Sequence, residues 1–364
     1  MFADLLLVPC GLLALIWALN LIWVVPLALL LTLIGRALGL DRPSDLLGKV
    51  VLITGGSSGI GLAMAKLVVA RGATCVLAAR NLETLASAKK DILASSSKGE
   101  VETVSVDLTA PADEIIAKLN SVPCVAGGLV DHAVLSAGDS GPAAFEDIDA
   151  AAWERLLRLN VLGCVSVTRA VLPGMKRRRS GRLTLISSMA GQVGIFGFTA
   201  YSASKFALRG FAEALRMEAK PWGVGVTLVV PPDTDTPLLQ RENLRKPAEC
   251  RRISEGAGLF SAEAVARKSV DGICRGATCV GFGLDGWMLN HVTSGMLGSN
   301  DAVELLSGLF LWPALRLVGL AHMRYYDHIC RQEAAKKPGW ADVGVAAGAA
   351  EVELTLRAEG EARE

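Results

Sequence analysis

An excess charge of either sign is missing from this chain. Its 37 basic and 36 acidic residues leave a net charge of +1. Nucleic acid would find no electrostatic footprint here. Paired cysteines are missing too. The eight cysteines, at 10, 75, 124, 164, 250, 274, 279 and 330, are scattered with no C-x-x-C spacing. That pattern indicates neither a zinc site nor a disulfide framework, so no metal is expected and reduced thiols are the default. No internal repeat is visible. The most telling absence is local: residues 5–35 carry no charged side chain. About 20 apolar residues suffice to cross a bilayer. The run is too long for a signal peptide, no basic region precedes it and no clear small-residue cleavage site follows. A transmembrane anchor is therefore expected over residues 1–36. Asp4 precedes the run, while Arg36, Arg42 and Lys49 follow it, which places the rest of the chain in the cytosol.

After a linker over 37–47, short apolar strands alternate with helical segments. Strands are expected at 49–54, 74–79, 101–106, 133–135, 183–187 and 224–230. This is the pattern of an α/β fold with a Rossmann-like, doubly wound parallel sheet. The first strand runs into Gly55-Gly56-Ser57-Ser58-Gly59-Ile60-Gly61 and then a helix. Glycines in that position permit a tight turn and close approach of backbone to phosphate. The helix N-terminus adds free N–H groups and a positive dipole end. The spacing is Gly-x-x-x-Gly-x-Gly rather than G-x-G-x-x-G.

Residues 181–216 read GRLTLISSMAGQVGIFGFTAYSASKFALRGFAEALR. They predict a strand followed by a helix over 200–217, with Phe206, Leu208, Phe211 and Leu215 spaced for a buried stripe. Ser188 closes the strand, and Tyr201 and Lys205 lie one turn apart on the helix. An ammonium beside a phenol favours the tyrosinate, so Lys205 is expected to lower the pKa of Tyr201. Ser188 is placed to hold a carbonyl oxygen beside the Tyr201 hydroxyl. A Tyr-x-x-x-Lys alone is equally well an exposed surface pair. The glycine loop upstream is what favours the catalytic reading.

Thr54-Gly55-(x3)-Gly59-x-Gly61, with Asn160, Ser188, Tyr201 and Lys205, resembles the short-chain dehydrogenase/reductase family. The likeness covers residues 48–287, the expected catalytic domain. It implies a catalytic set of Asn160, Ser188, Tyr201 and Lys205, with Asn160 holding a water in a proton relay. It also implies a dinucleotide held by Gly55, Ser57, Ser58, Gly59, Ile60 and Gly61, by Tyr201 and Lys205 at the nicotinamide ribose, and by Thr236. Arg80 stands where relatives that bind NAD usually carry an acid, and its guanidinium suits a 2′-phosphate. NADPH/NADP+ is therefore the expected cofactor, with Asp107 at its adenine. Leu135-Ser136-Ala137-Gly138 departs from the family's Asn-x-Ala-Gly.

Pro231-Pro232-Asp233-Thr234-Asp235-Thr236-Pro237, the run from Gly197 to Phe206 and the N-terminal apolar segment resemble a narrower group, the 3-ketodihydrosphingosine reductases. That likeness implies NADPH-dependent reduction of 3-ketosphinganine at the endoplasmic reticulum membrane. The alternatives are a membrane-bound reductase of retinoids, steroids or other lipophilic carbonyls, and a non-enzymatic NADPH sensor. A long-chain keto-amine needs a partner for its ammonium, and Asp233 or Asp235, the latter favoured, is the candidate. The competing reading has both fixing the loop or capping the next helix. Lys176-Arg177-Arg178-Arg179 with Arg182 reads as a solvated turn, or alternatively as a contact with anionic lipid. Residues 288–328 are expected to form a membrane-associated, buried or re-entrant helical segment, and 329–364 a disordered tail. Homo-oligomer formation is left open.

Overall fold

The computed structural model describes Leu30 and residues 45–256, 258–293 and 302–336. The expected membrane anchor over 1–36, most of the linker and the tail beyond 336 lie outside the described residues.

Seven parallel strands form one sheet. They are β1 (Val50–Thr54), β2 (Thr74–Ala79), β3 (Val101–Ser105), β4 (His132–Leu135), β5 (Gly181–Ile186), β6 (Val224–Val229) and, last in the sheet, β9 (Cys279–Val280), in the order β3-β2-β1-β4-β5-β6-β9. The short strands β7 (Thr234–Asp235) and β8 (Phe260–Ser261) pair separately. Strands buried on both faces read as continuous apolar runs, and VVLIT of β1 is such a run. Leu52 packs with Val76, Ala78 and Leu183 in one core layer, whereas Val51 and Ile53 join Cys75 and Leu77 in the other.

Helices cover both faces. α1 (Gly59–Ala70) and α2 (Leu82–Ser95) lie on one side, with α3 (Ala112–Leu119) on the other. A short α4 (Pro123–Ala126) precedes β4. Next, α5 (Ala150–Leu157) passes through a π turn at Arg158–Leu162 into α6 (Gly163–Arg178). This continuous segment, Ala150–Arg178, is long and apolar enough to cross a membrane. Cys164, Val167, Val171 and Met175 nevertheless pack in the sheet core, so here it is a core helix. After β5 comes α7 (Thr199–Ala219), which buries Leu208, Ala212 and Leu215. Phe206, expected in that stripe, is 42% exposed instead. At about 100° per residue its position is on the opposite side of the helix from the arc of Leu208, Ala212 and Leu215.

The basic cluster sits at the far end of the sheet from the carboxyl ends of the strands. Arg178 donates to the Val130 carbonyl at 2.7 Å. Lys176 and Arg179 lie over the Trp222 ring, and Arg182 donates to Thr227 at 3.0 Å. These contacts occupy the cluster as a structural turn.

The C-terminal third adds α8 (Pro237–Asn243), α9 (Ala248–Glu255), α10 (Ala262–Cys274), α11 (Gly283–Val292) and a long α12 (Ala302–Ala334). A boundary expected at 287/288 falls inside α11. Residues 329–336, expected to be disordered, begin as helix and end in a turn. The reason is anchorage: Ile329 is fully buried, and Glu333 accepts from Arg252 at 2.6 Å and from Lys336 at 2.7 Å. Ile329→Ala should remove about 2–5 kcal/mol of the packing that docks α12. Limited proteolysis should then cut α12 well before the sheet domain, and an unaltered cleavage pattern would show that α12 is held elsewhere.

Candidate active site

Parallel α/β sheets place their sites beyond the carboxyl ends of the strands, where the strand order reverses. Here the reversal lies between β1 and β4: β1 pairs in parallel with β2 on one side and with β4 on the other. A cavity of about 550 Å³ opens at that edge, within the usual size for small-molecule sites.

Its floor is the glycine loop. Gly55 has φ +66°, and a Cβ there would lie 2.9 Å from the backbone of Ala137. A Cβ at Gly61 would run into the Gly55 carbonyl oxygen. The loop is therefore wound as tightly as backbone alone allows, and it sits against the start of α1. Ser58 is the N-cap of α1, yet no side chain caps it. The first-turn N–H groups thus remain for an anion. Thr54 Oγ1 accepts from Ser136 N at 3.1 Å and Ala137 N at 3.2 Å. That bond closes the β1–β4 junction even though Leu135-Ser136 departs from the family's asparagines. Gly55, Ser58, Gly59, Ile60 and Gly61 line the cavity; Ser57 does not.

Arg80 and Asp107 sit outside the cavity wall, exposed at the ends of β2 and β3. Burial works to raise the Asp107 pKa, but hydrogen bonds from Thr109 and the nearby Arg80 charge leave it lowered. The donors are Thr109 N and Oγ1, both 2.8 Å from Oδ1. The pair follows β2 and β3, the strands on the far side of β1 from β4.

On the β5 side the structure brings Ser188, Tyr201 and Lys205 to one wall. The Ser188 hydroxyl is turned toward the Tyr201 phenol and accepts from Ala190 N at 3.1 Å. Lys205 Nζ donates to the Ile186 carbonyl at 2.9 Å and stands 5.5 Å from the Tyr201 ring centroid. Asn160 lies in the π turn, fully buried, and not on a helix surface. Its amide donates to the Asp139 carbonyl and to Ser204 Oγ, both at 2.9 Å, while Oδ1 accepts from Asp139 N at 2.9 Å. A Cβ on Gly138 would be 3.1 Å from Asn160 Oδ1 and 3.5 Å from Lys205 Nζ. Asn160 therefore reaches the lysine's neighbourhood from behind the cavity wall. π turns concentrate at functional sites because the extra residue re-aims a side chain.

One expectation is corrected. The Tyr201 phenol is pushed above its ordinary value, not below it. Burial dominates, and the charge of Glu242 adds to it, while the Ser188 hydrogen bond opposes them. Lys205 does not offset this, because its ammonium is turned to Ile186. Burial also lowers Lys205 to about 8.

The loop after β6 brings a second correction. Asp233 lines the cavity, but Lys246 Nζ holds it at 2.8 Å. Asp235, the favoured partner for an ammonium, is exposed and does not line the cavity. Alternation along β7 sends Thr234 inward and Asp235 outward. Neither acid caps α8; Thr236 does, accepting from Leu239 N at 3.3 Å. Thr236 also lines the cavity beside Gly59.

Several wall residues escaped the sequence reading. Glu242 is 8% exposed and lines the cavity. Its i,i+4 spacing to Lys246 was visible, but not the burial of both. Leu315, Val318, His322, Met323 and Tyr326 of α12 roof the cavity, and nothing in the sequence located that helix over the site.

A glycine-cradled anion site beside a Ser–Tyr–Lys wall defines a hydride-transferring α/β oxidoreductase. The chain belongs to the short chain dehydrogenase family, whose model matches residues 49–247. It is 42% identical to the 3-ketodihydrosphingosine reductase of Mus musculus over 80% of this chain and 88% of that protein. It is 39% identical to the 3-dehydrosphinganine reductase of Danio rerio, over 85% of this chain and 93% of that protein. Among solved structures it is similar to a short-chain dehydrogenase from Streptomyces avermitilis, with TM-score 0.56, 29% identity, and 78% and 97% of the two chains covered. A short-chain dehydrogenase from Sphingobium yanoikuyae in complex with NADPH shares the fold, with TM-score 0.55 and 24% identity over 64% and 87% of the two chains.

The lowered Lys205 pKa has a sign that stability measurements can read. Between about 8 and the ordinary lysine value of 10.5 the unfolded chain binds the extra proton, so stability rises with pH through that window. The penalty for the buried cation is fully present below it. Relative to Lys205→Met, the wild type should gain up to about 1.4 kcal/mol per pH unit across the window in urea denaturation. A constant difference across it would place the folded lysine at its ordinary value.

Proposed function

We propose that this protein is an NADPH-dependent reductase converting 3-ketosphinganine to sphinganine. We further propose that residues 1–36 anchor it in the endoplasmic reticulum membrane with its catalytic domain in the cytosol. The observation that carries the catalytic reading is the likeness to 3-ketodihydrosphingosine reductases across nearly their whole length, on a chain whose Ser188, Tyr201 and Lys205 share one wall.

The cofactor fits the residues present. The loop from Gly55 to Gly61 and the uncapped start of α1 would hold its pyrophosphate, and Arg80 its 2′-phosphate. When bound, NADPH supplies a hydride to the carbonyl carbon. Tyr201 gives its proton to the carbonyl oxygen, so one hydride and one proton convert ketone to alcohol. A phenol with a raised pKa carries that proton at neutral pH, the state a reduction needs. Ser188 orients the carbonyl through its hydroxyl. Lys205 holds the nicotinamide ribose, and Asn160 supports proton return to Tyr201 from behind the wall.

The apolar part of the cavity suits an alkyl chain. Met288, Leu289 and Val292 of α11 face Leu315, Val318 and Met323 of α12 across it. Exposed Leu317 on α12, with the half-exposed Leu320 at the cavity's edge, continues that apolar surface outward, consistent with a substrate delivered from a bilayer.

Membranes bearing the protein should oxidise NADPH when offered 3-ketosphinganine, and far less with retinal or a ketosteroid. Preference for either of the latter would replace this reading. Tyr201→Phe should lose nearly all turnover yet still bind NADPH; a substantial residual rate would remove the proton-donor role. Arg80→Ala should raise the KM for NADPH about tenfold, given ~1.5–3 kcal/mol per charge-assisted bond, and leave that for NADH little changed. Carbonate should fail to extract the full chain from membranes; extraction would refute the anchor.

A further inference from the structure

We propose that Glu242 is the residue that receives the ammonium group of the substrate and sets the enzyme's preference for amine-bearing ketones. The inference rests on the reductase reading above and adds to it the group that recognises the amine.

Three carboxylates act on the Tyr201 end of the cavity: Glu242, Asp233 and Asp139. Two of them already have close cations. Asp233 is 2.8 Å from Lys246 Nζ, and Asp139 is 3.4 Å from Arg155. Glu242 is the remaining one. Lys246 comes no nearer to it than 3.8 Å, and that ammonium is already directed at Asp233 and, at 3.3 Å, at Ser254 Oγ. Glu242 is also the deepest of the three on the substrate side, 8% exposed and lining the cavity.

An independent observation marks the same spot. Ser140 is 1% exposed, and its buried hydroxyl has no partner at ordinary hydrogen-bond distance. It is turned toward the Glu242 carboxyl. A buried acid with one loosely placed hydroxyl and one shared cation is under-compensated, which its raised pKa reflects, burial being the main cause. An incoming ammonium supplies what is missing.

The substrate class fits this geometry. In an α-amino ketone the ammonium sits on the carbon next to the carbonyl. When Tyr201 holds the carbonyl oxygen, the amine must lie within a few ångströms of it, on whichever wall carries the uncompensated charge. Glu242 lines the same cavity as Tyr201 and Lys205, and its charge acts on both. Neutralising Glu242 also removes one of the charges that make Tyr201 a weaker acid. The amine thereby helps its own carbonyl to be protonated, which should appear in kcat as well as in KM.

The test compares 3-ketosphinganine with the same ketone lacking the amine. In the wild type the amine-bearing ketone should have the higher kcat/KM, and Glu242→Gln should reduce that preference about tenfold or more. An unchanged ratio in a variant that still binds NADPH overturns the proposal. The wild type supplies a second measurement if the variant does not fold: a long-chain alkylamine should inhibit at least tenfold better than the alcohol of equal length. Equal inhibition also overturns it. A wild type that reduces neither ketone refutes the reductase reading instead, and a thermal shift produced by the alkylamine but not by the alcohol, and lost in Glu242→Gln, would still report on Glu242.

Discussion

The hydrogen bond from Lys205 Nζ to the Ile186 carbonyl fastens the site. It ties the second turn of α7 to the last residue of β5, across a wall where both partners are buried. A lysine is an expensive group to bury, and its cation is stable there only because a carbonyl accepts from it. Neighbouring bonds add to the fastening. Ser187 Oγ donates to the Lys205 carbonyl at 3.0 Å, and Ser204 Oγ donates to the Tyr201 carbonyl at 2.7 Å while accepting from Asn160. Once α7 is fixed in this register, Tyr201 faces the Ser188 hydroxyl and the cavity without further adjustment.

The same burial shapes the chemistry. A site that encloses its phenol raises that phenol's pKa, and a nearby acid raises it further. Lysine proximity alone does not reverse this, because direction matters as well as distance. An ammonium pointing at a carbonyl is partly spent on it. The enclosed phenol is accordingly set up as an acid that keeps its proton until a carbonyl is in place. Spacing on a helix therefore tells that Tyr201 and Lys205 are neighbours, but not which way the phenol's pKa moves.

That contrast runs through the whole chain. Features governed by local rules were legible. The apolar runs marked β1, β2 and β6 to within a residue or so, and the glycine loop followed from its spacing. Arg80 was placed by counting to the end of β2. Features that depend on what packs over them were not. Asp235 looked as suitable as Asp233 until the pleat of β7 sent it outward. Phe206 fitted a helical stripe but lies off the arc that α7 actually buries. Glu242 is unremarkable in sequence, and it becomes significant only because α8 folds back over the cavity. The roof supplied by α12 is the extreme case, since its contact with the site joins residues more than a hundred positions apart.

The π turn at Arg158–Leu162 carries a consequence for how this segment tolerates length changes. It takes one extra residue into about one turn, because its hydrogen bonds close over five residues rather than four. The helix on either side therefore stays in phase: Leu156 and Cys164, eight positions apart, are both buried, where an unbroken α-helix brings residues seven apart to one face. Deleting one residue here would restore regular helix without turning either end, and what it would remove is the bulge that carries Asn160. The length of this segment is thus set by the site and not by the core.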